Sequence, residues 1–240
     1  MRTVLITGAN KGIGFETARQ LAQLGHFVYL GSRDIHKGQQ AVERLKAEGF
    51  PHVAVIRLDV TDPDAIGRAK AILSNEMDAL DVLINNAGFP GDAFQRFSEC
   101  GMDTVRRLFE TNYFGAVQTT QLLLPLLQRS SAPAIINVSS EVGSLTMNMA
   151  PDRRANWDHY SVYGATKAAL NAFTVMLANE LRQQRIPVNS VTPGYTATDL
   201  NGFKGFKTVE AGARPIVQLA LLTDPSVTGK FFQDGGEVAW

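Results

Sequence analysis

The sequence predicts an α/β fold with a doubly wound, mainly parallel sheet of about seven strands and helices on both faces. Two observations lead to this prediction. Short apolar runs rich in β-branched residues recur along the chain, and longer segments with helical periodicity separate them. Apolar runs of this kind are expected of strands buried on both faces. Strict alternation of strand and helix favours a parallel sheet with right-handed crossovers.

The predicted elements follow one another without a linker, repeat or low-complexity tract, so residues 1–240 are predicted to form one domain. Asp34 is predicted to be the N-cap of the second helix, because its carboxylate can accept from the first free N–H groups. The strands are predicted at residues 3–7, 26–31, 53–58, 81–85, 134–139 and 187–192. The helices are predicted at residues 12–24, 34–48, 62–76, 98–111, 113–129 and 161–184.

Composition disfavours several classes of protein. The chain has 23 basic and 23 acidic residues, so no net charge attracts nucleic acid or an anionic membrane. No apolar run is long enough to span a bilayer, and glycines interrupt the N-terminus before a signal sequence forms. The single Cys100 cannot form an intrachain disulfide, which favours a reducing compartment. We therefore expect a cytoplasmic protein that binds a small molecule, with no metal site.

The first predicted strand runs into the glycine-rich stretch TGANKGIG, residues 7–14. Glycines let the backbone turn tightly and approach a phosphate, and the free N–H groups of the following helix favour negative charge. Its position between a strand and a helix makes the pattern informative. The stretch therefore predicts a dinucleotide site that includes Gly8, Asn10, Lys11, Gly12, Ile13 and Gly14.

The end of the second strand indicates which dinucleotide to expect. A carboxylate about 20 residues beyond the glycines binds the ribose in NAD sites, whereas an arginine suits the 2′-phosphate of NADP(H). This chain has Ser32 and Arg33 at that position, and Lys11 supplies a second cation from the glycine loop. We therefore expect NADP(H) as the cofactor, with Ser32 and Arg33 among its ligands.

The stretch YSVYGATKAALNAF, residues 160–173, contains two tyrosines and one lysine. Side chains four residues apart lie on one face of a helix, which pairs Lys167 with Tyr163 and not with Tyr160. A nearby ammonium favours the ionised phenol, so it is expected to lower the pKa of Tyr163. The spacing predicts a reactive Tyr163–Lys167 pair, with His159 and Tyr160 as structural residues of the preceding loop.

Two segments interrupt the regular alternation, residues 141–160 and 195–207. Each follows a predicted strand, and segments beyond the carboxyl ends of strands in such a sheet usually hold ligands. We predict that both lie on the substrate side, although each is also compatible with a packed surface loop. The candidate substrate residues are Glu141, Trp157, Tyr195 and Phe203.

The order of motifs resembles the short-chain dehydrogenase/reductase family, in its compact, carbonyl-reductase-like branch. The resemblance spans nearly the whole chain, and its motifs occur in family order. They are TGANKGIG (7–14), LDV (58–60), NNAG (85–88), Asn112 in TNYFG, NVSS (137–140), YGATK (163–167) and PGYTATD (193–199).

The resemblance implies a Rossmann-type fold and a role for each motif residue. Ser140, the second serine of NVSS, would be catalytic together with Tyr163 and Lys167. Asn112 would complete the set by holding a water on a proton path to Lys167. Tyr163 and Lys167 would also contact the cofactor. Further cofactor contacts would come from Asp59, Val60, Asn86, Ala87, Gly88, Pro193, Gly194, Thr196 and Thr198.

The resemblance implies an NADPH-dependent oxidoreductase that reduces a ketone or aldehyde to an alcohol, with Tyr163 as the proton donor. One alternative is a dedicated biosynthetic ketoreductase acting on a 3-oxoacyl thioester, a steroid or a terpenoid ketone. Another is an NADP(H) sensor without turnover, which the complete catalytic set disfavours. The spacing between Ser140 and Tyr163 leaves a monomer, a homodimer and a homotetramer open.

Overall fold

The computed structural model describes residues 1–91 and 94–240. Its strands form one sheet in the order β3-β2-β1-β4-β5-β6-β7-β8. All neighbours pair in parallel except β7 and β8, which form an antiparallel edge. The predicted fold class is therefore confirmed. The strands are β1 (Thr3–Ile6), β2 (Phe27–Ser32), β3 (Val53–Arg57), β4 (Val82–Asn85), β5 (Ala134–Val138), β6 (Val188–Val191), β7 (Phe231–Gln233) and β8 (Gly236–Glu237).

All six predicted helices occur in the structure, with their ends shifted by a few residues. Asp34 caps the second helix as predicted, since its carboxylate accepts from the backbone N–H groups of His36 and Lys37. The short helix α6, the helix α8 and the two edge strands were not predicted. The helices are α1 (Gly12–Gln23), α2 (Ile35–Ala47), α3 (Pro63–Glu76), α4 (Met102–Phe109), α5 (Gly115–Leu127), α6 (Leu145–Asn148), α7 (Ser161–Glu180) and α8 (Val209–Leu221).

The core has two halves, one on each face of the sheet. Successive residues of a strand point to opposite faces, and β1 shows this directly. Val4 and Ile6 pack in the cluster that includes residues of α1, α2 and α8, whereas Leu5 packs in the cluster that includes α3, α5 and α7. A strand buried on both faces must be apolar throughout, which explains the continuous apolar runs of the sequence.

The order in which successive strands are added to the sheet reverses between β1 and β4. Strands β2 and β3 lie on one side of β1, and β4 to β8 lie on the other. Helix α1 packs on one face of the sheet and α5 packs on the other. A crevice is expected where the strand order reverses, at the carboxyl ends of β1 and β4. In the described parts of the chain, no helix is long and apolar enough to cross a membrane.

Candidate active site

The glycine loop lies at the carboxyl end of β1, beside β4. Gly8 and Gly12 have φ values of +65° and +58°, which favour glycine. Gly14 is needed for a different reason, because a Cβ atom there would stand 2.4 Å from Asn86 Nδ2 and 2.8 Å from Gly8 O. The predicted glycines therefore allow α1 to begin directly against the end of β4.

Side-chain hydrogen bonds join the ends of β1 and β4. The Thr7 hydroxyl accepts from the backbone N–H groups of Asn86 and Ala87, each at 2.9 Å. Asn86 Nδ2 donates to Thr7 O at 2.8 Å and to Gly8 O at 3.2 Å. The structure thus brings two sequence-predicted cofactor segments, residues 8–14 and 86–88, into one wall of the crevice.

The start of α1 leaves its N–H groups available. Its N-cap residue Lys11 makes no side-chain cap, and the first turn contains no acidic residue. Free N–H groups at a helix start carry partial positive charge and suit an anion. The Lys11 ammonium itself forms an ion pair with Asp199, from the segment that follows β6. Both residues line one cavity beside the start of α1.

The end of β2 places its two predicted ligands differently. Arg33 is exposed, and no ion-pair partner is found for it among the residues that the structure describes. Ser32 is 1% exposed, and its hydroxyl donates to Asp34 O at 2.7 Å. Because the Ser32 proton is used inside the protein, Arg33 is the better placed of the two to bind a phosphate.

Asp59 and Val60 follow β3 at the same edge of the sheet. Asp59 Oδ1 accepts from the backbone N–H and the hydroxyl of Thr61, at 3.0 and 2.8 Å, which fixes the turn into α3. Val60 is 7% exposed and packs so closely on Gly115 that a Cβ atom there would stand 2.8 Å from Val60 Cγ2. An adenine contact from these two residues stays a prediction.

The segment after β5 and the start of α7 bring Ser140, Tyr163 and Lys167 together. Two glycines allow this approach: a Cβ atom on Gly164 would stand 2.7 Å from Val142 O, and one on Gly143 would stand 2.7 Å from Lys167 Cβ. The Tyr163 phenol is close enough to the Ser140 side chain for Ser140 to affect its acidity. The predicted pairing on the helix is also present, with Lys167 Nζ 5.7 Å from the centroid of the Tyr163 ring.

Burial changes the acidity of both members of the pair. It raises the pKa of Tyr163 to about 12, and the hydrogen bond with Ser140 only partly opposes the rise. Burial also lowers the pKa of Lys167 to about 8. The expected lowering of the Tyr163 pKa by Lys167 is not found in this structure, since burial is the largest cause of the shift and raises the pKa. Tyr163 is therefore protonated at neutral pH.

The Lys167 ammonium is 3% exposed and donates to Val138 O at 2.8 Å. Asn112 lies in a π-helical turn, Glu110–Phe114, between α4 and α5. Its side chain accepts from Phe89 N at 2.7 Å and donates to Phe89 O at 2.9 Å. A Cβ atom on Gly88 would stand 3.7 Å from Asn112 Oδ1 and 3.8 Å from Lys167 Nζ, so both side chains approach the same point.

The residues predicted to contact the cofactor after β6 are mostly buried. Thr196 is 3% exposed and donates to Pro193 O at 3.2 Å, and Thr198 caps the turn Asp199–Asn201. Gly194, at φ +73°, lies under the Lys207 side chain, whose Nζ would be 3.0 Å from an added Cβ atom. Contacts from these threonines stay a prediction, and Lys207 is a cation of this wall that the sequence did not single out.

The four candidate substrate residues do not form one group. Trp157 is 9% exposed and packs in the protein interior. Tyr195 is 37% exposed and contacts Phe206 edge to face. Phe203 lines a cavity of about 370 Å³ beside Lys11, on the α1 side of the crevice. Glu141 follows Ser140 directly and has no ion-pair partner in the part of the chain that the structure describes.

Sequence reasoning missed Gln95, which is buried against the start of α7. Gln95 Oε1 accepts from Tyr163 N at 3.0 Å. The contact joins residues 68 positions apart, and Gln95 belongs to no motif. No local pattern in the sequence signals it.

Comparisons with known proteins agree with this geometry. Residues 2–206 match the family described as short chain dehydrogenase. (+)-Neomenthol dehydrogenase of Capsicum annuum is 33% identical, with 96% of this chain and 95% of the relative covered. Salutaridine reductase of Papaver somniferum is 34% identical, with 99% and 96% covered. An NADPH-bound carbonyl reductase from chicken fatty liver has a TM-score of 0.85 and 30% identity, with 100% and 99% covered.

Proposed function

Because the chain belongs to the short-chain dehydrogenase family of oxidoreductases, we propose that it is an NADPH-dependent reductase of ketones or aldehydes. The observation that carries the proposal is the arrangement of Ser140, Tyr163 and Lys167. The Tyr163 phenol is protonated and lies next to the Ser140 side chain, and a buried ammonium is one helical turn away. This set can donate a proton to an oxygen that gains negative charge.

The crevice fits a dinucleotide that carries an additional phosphate. Close glycine packing and the uncapped start of α1 suit the diphosphate. At the end of β2, Arg33 is an exposed cation, and Ser32 precedes it where an NAD site would have a carboxylate. Lys11 in the glycine loop would be a second cation for this phosphate once it leaves Asp199. These features favour NADP(H) over NAD(H), and the NADPH-bound neighbour supports the same choice.

Each residue of the set has a separate task in the reaction. The cofactor, when bound, supplies the hydride that reduces the carbonyl carbon. Tyr163 donates its proton to the carbonyl oxygen, and the Ser140 hydroxyl orients that oxygen by a hydrogen bond. The phenolate left on Tyr163 is stabilised by the Lys167 ammonium until a proton returns from solvent. Asn112 holds the chain segment beside Lys167 in place.

A dedicated biosynthetic ketoreductase is the second candidate, because a relative reported above is named for a single compound, salutaridine. The substrate range decides between the two. A broad reductase converts several unrelated carbonyl compounds at comparable kcat/KM, whereas a dedicated one strongly prefers one class.

The test is the consumption of NADPH by the purified protein, measured at 340 nm with a panel of carbonyl compounds. The panel comprises aromatic ketones, aldehydes, steroid and terpenoid ketones and 3-oxoacyl thioesters, each also offered with NADH. We expect turnover with NADPH and slower turnover with NADH. Tight NADPH binding without turnover of any compound would contradict a broad reductase and favour either a dedicated reductase with a substrate outside the panel or a cofactor-binding sensor.

A further inference from the structure

Gln95 is a buried polar side chain, 1% exposed, in the segment between β4 and α4. Its backbone is docked on the segment that precedes α7, since Gln95 N donates to His159 O at 3.0 Å. The adjacent Phe94 ring contacts the His159 ring edge to face, with centroids 4.9 Å apart. Gln95 is thus placed at the start of the helix that carries Tyr163 and Lys167.

The start of α7 has N–H groups that need partners from elsewhere. The first N–H groups of a helix have no acceptor within it, and a side chain at the N-cap usually supplies one. Tyr160 is the N-cap of α7 and supplies none. Instead, Val162 N donates to Gln95 O at 3.3 Å, and Tyr163 N donates to Gln95 Oε1 at 3.0 Å. Gln95 therefore caps the catalytic helix from 68 residues away.

The other half of the Gln95 carboxamide binds the segment that follows the cofactor motif. Gln95 Nε2 donates to Pro90 O at 2.6 Å. Gly91 provides the space, because a Cβ atom there would stand 2.4 Å from Gln95 Nε2. If the carboxamide were flipped, its NH₂ group would face the N–H of Tyr163 and its oxygen would face Pro90 O. These two hydrogen bonds therefore determine its orientation.

Asn112 makes the matching connection on the other side of Tyr163. It holds both backbone groups of Phe89, and its Nδ2 donates to the Thr166 hydroxyl at 3.1 Å. Thr166 in turn donates to Tyr163 O at 2.7 Å. The N–H and the C=O of Tyr163 are therefore both linked, through buried polar side chains, to residues 89–90.

We propose that Gln95 is a positioning residue, which fixes the Tyr163 hydroxyl relative to the cofactor wall of the crevice by joining Tyr163 N to Pro90 O. The inference rests on the proposed function, because it assigns the phenol a proton-transfer step. Proton donation requires hydrogen-bond distance to the carbonyl oxygen, and a displacement of about 1 Å can reduce a rate about 10²-fold. A carboxamide packed between two backbone segments prevents that displacement.

Three variants test the proposal. Gln95→Met keeps the length of the side chain and removes the hydrogen bonds to Tyr163 N and Pro90 O. Gln95→Glu keeps an acceptor for Tyr163 N, and burial favours the protonated carboxyl group, whose O–H can donate to Pro90 O. Gln20→Met is the matched control, because Gln20 Nε2 also joins two segments, α1 and Glu210 O at 3.1 Å, but far from Tyr163.

We expect Gln95→Met to lower kcat by about tenfold to 10²-fold, with the Kd for NADPH within threefold of the parent. The deuterium isotope effect on kcat with 4-deuterated NADPH should rise, because chemistry becomes slower than product release. Gln95→Glu should lose less activity than Gln95→Met. A residue that only stabilised the fold would lower the melting temperature and leave kcat and the isotope effect of the folded protein unchanged, as we expect for Gln20→Met.

Hydrogen exchange of the protein alone supplies a readout that does not depend on turnover. In Gln95→Met the amides of residues 160–165 should exchange faster than in the parent, and in Gln20→Met they should not. Unchanged exchange there would overturn the proposal, and so would faster exchange with kcat within twofold of the parent. A parent protein that reduces no carbonyl would contradict the proposed function instead, and the exchange experiment would still decide whether Gln95 holds the Tyr163 amide.

Discussion

The two ends of the crevice are held by different interactions. At the catalytic end, Lys167 and Asn112 are 3% and 1% exposed, and buried hydrogen bonds fix both side chains. At the proposed phosphate end, the Lys11 side chain is 67% exposed, and its ammonium forms an ion pair with Asp199. Exposed ion pairs contribute little free energy, whereas buried polar groups keep their partners because losing them costs more. Under the proposed function, chemistry takes place at the more rigid end of the crevice and cofactor recognition at the more adaptable end.

Replacing Tyr163 is the strongest way to test the rigid end. Tyr163→Phe removes the proton donor and leaves the ring in place, so kcat should fall by about 10²–10⁴-fold. The Kd for NADPH should remain within a few fold. The measurement is NADPH oxidation with the best substrate of the panel.

Tyr160→Phe is the matched control for that variant. Tyr160 lies three residues earlier and is 38% exposed, so its loss should leave kcat nearly unchanged. A fully active Tyr163→Phe would show that the proton comes from another group. The role proposed for Tyr163 would then be wrong.

Replacing Arg33 tests the adaptable end. A charge-assisted hydrogen bond contributes about 1.5–3 kcal/mol, so Arg33→Ala should weaken NADPH binding by about tenfold to 10²-fold. NADH binding should change little. Because the contact is exposed, the difference between parent and variant should shrink at high salt. Equal losses for both cofactors in a fluorescence titration would exclude Arg33 from phosphate recognition, and Arg129→Ala, at an exposed site after α5, serves as the control.

The burial of Lys167 predicts a stability effect with a definite dependence on pH. Its pKa is lowered from 10.5 to about 8 on folding, so between these values the unfolded chain binds more protons. The contribution of Lys167 to stability therefore rises as the pH increases from about 8 to 10.5, and below about 8 its full cost is present. Lys167→Met should then be more stable than the parent at pH 7 by about 1–3 kcal/mol, after allowance for the lost hydrogen bond, while losing turnover.

Urea unfolding at pH 7 and pH 10 measures this effect. The advantage of Lys167→Met should be larger at pH 7 than at pH 10. Lys46→Met, at an exposed position of α2, should show no such trend. A parent protein that is more stable than Lys167→Met at pH 7 would mean that hydrogen bonds in the buried site offset the desolvation cost of the Lys167 ammonium.

The amino-acid sequence by itself determined the fold class, six strands, six helices and the pairing of Tyr163 with Lys167 on one helix. These features depend on local periods: continuous apolar runs for buried strands, and a spacing of four for Tyr163 and Lys167. The N-cap role of Asp34 was readable for the same reason, since a cap bonds to residues two and three positions away. The edge strands β7 and β8 are short and exposed in part, so their residues lack a clear apolar period.

Only the tertiary structure decided how acidic the catalytic pair is and what holds it. Desolvation depends on what packs around a side chain, so the sequence indicated the wrong direction for the pKa of Tyr163. The bonds from Gln95 and Asn112 join residues that are distant in the chain, and no spacing rule relates them. The pairing of Lys11 with Asp199 also arises from folding, because the segment after β6 meets the glycine loop only in the assembled sheet.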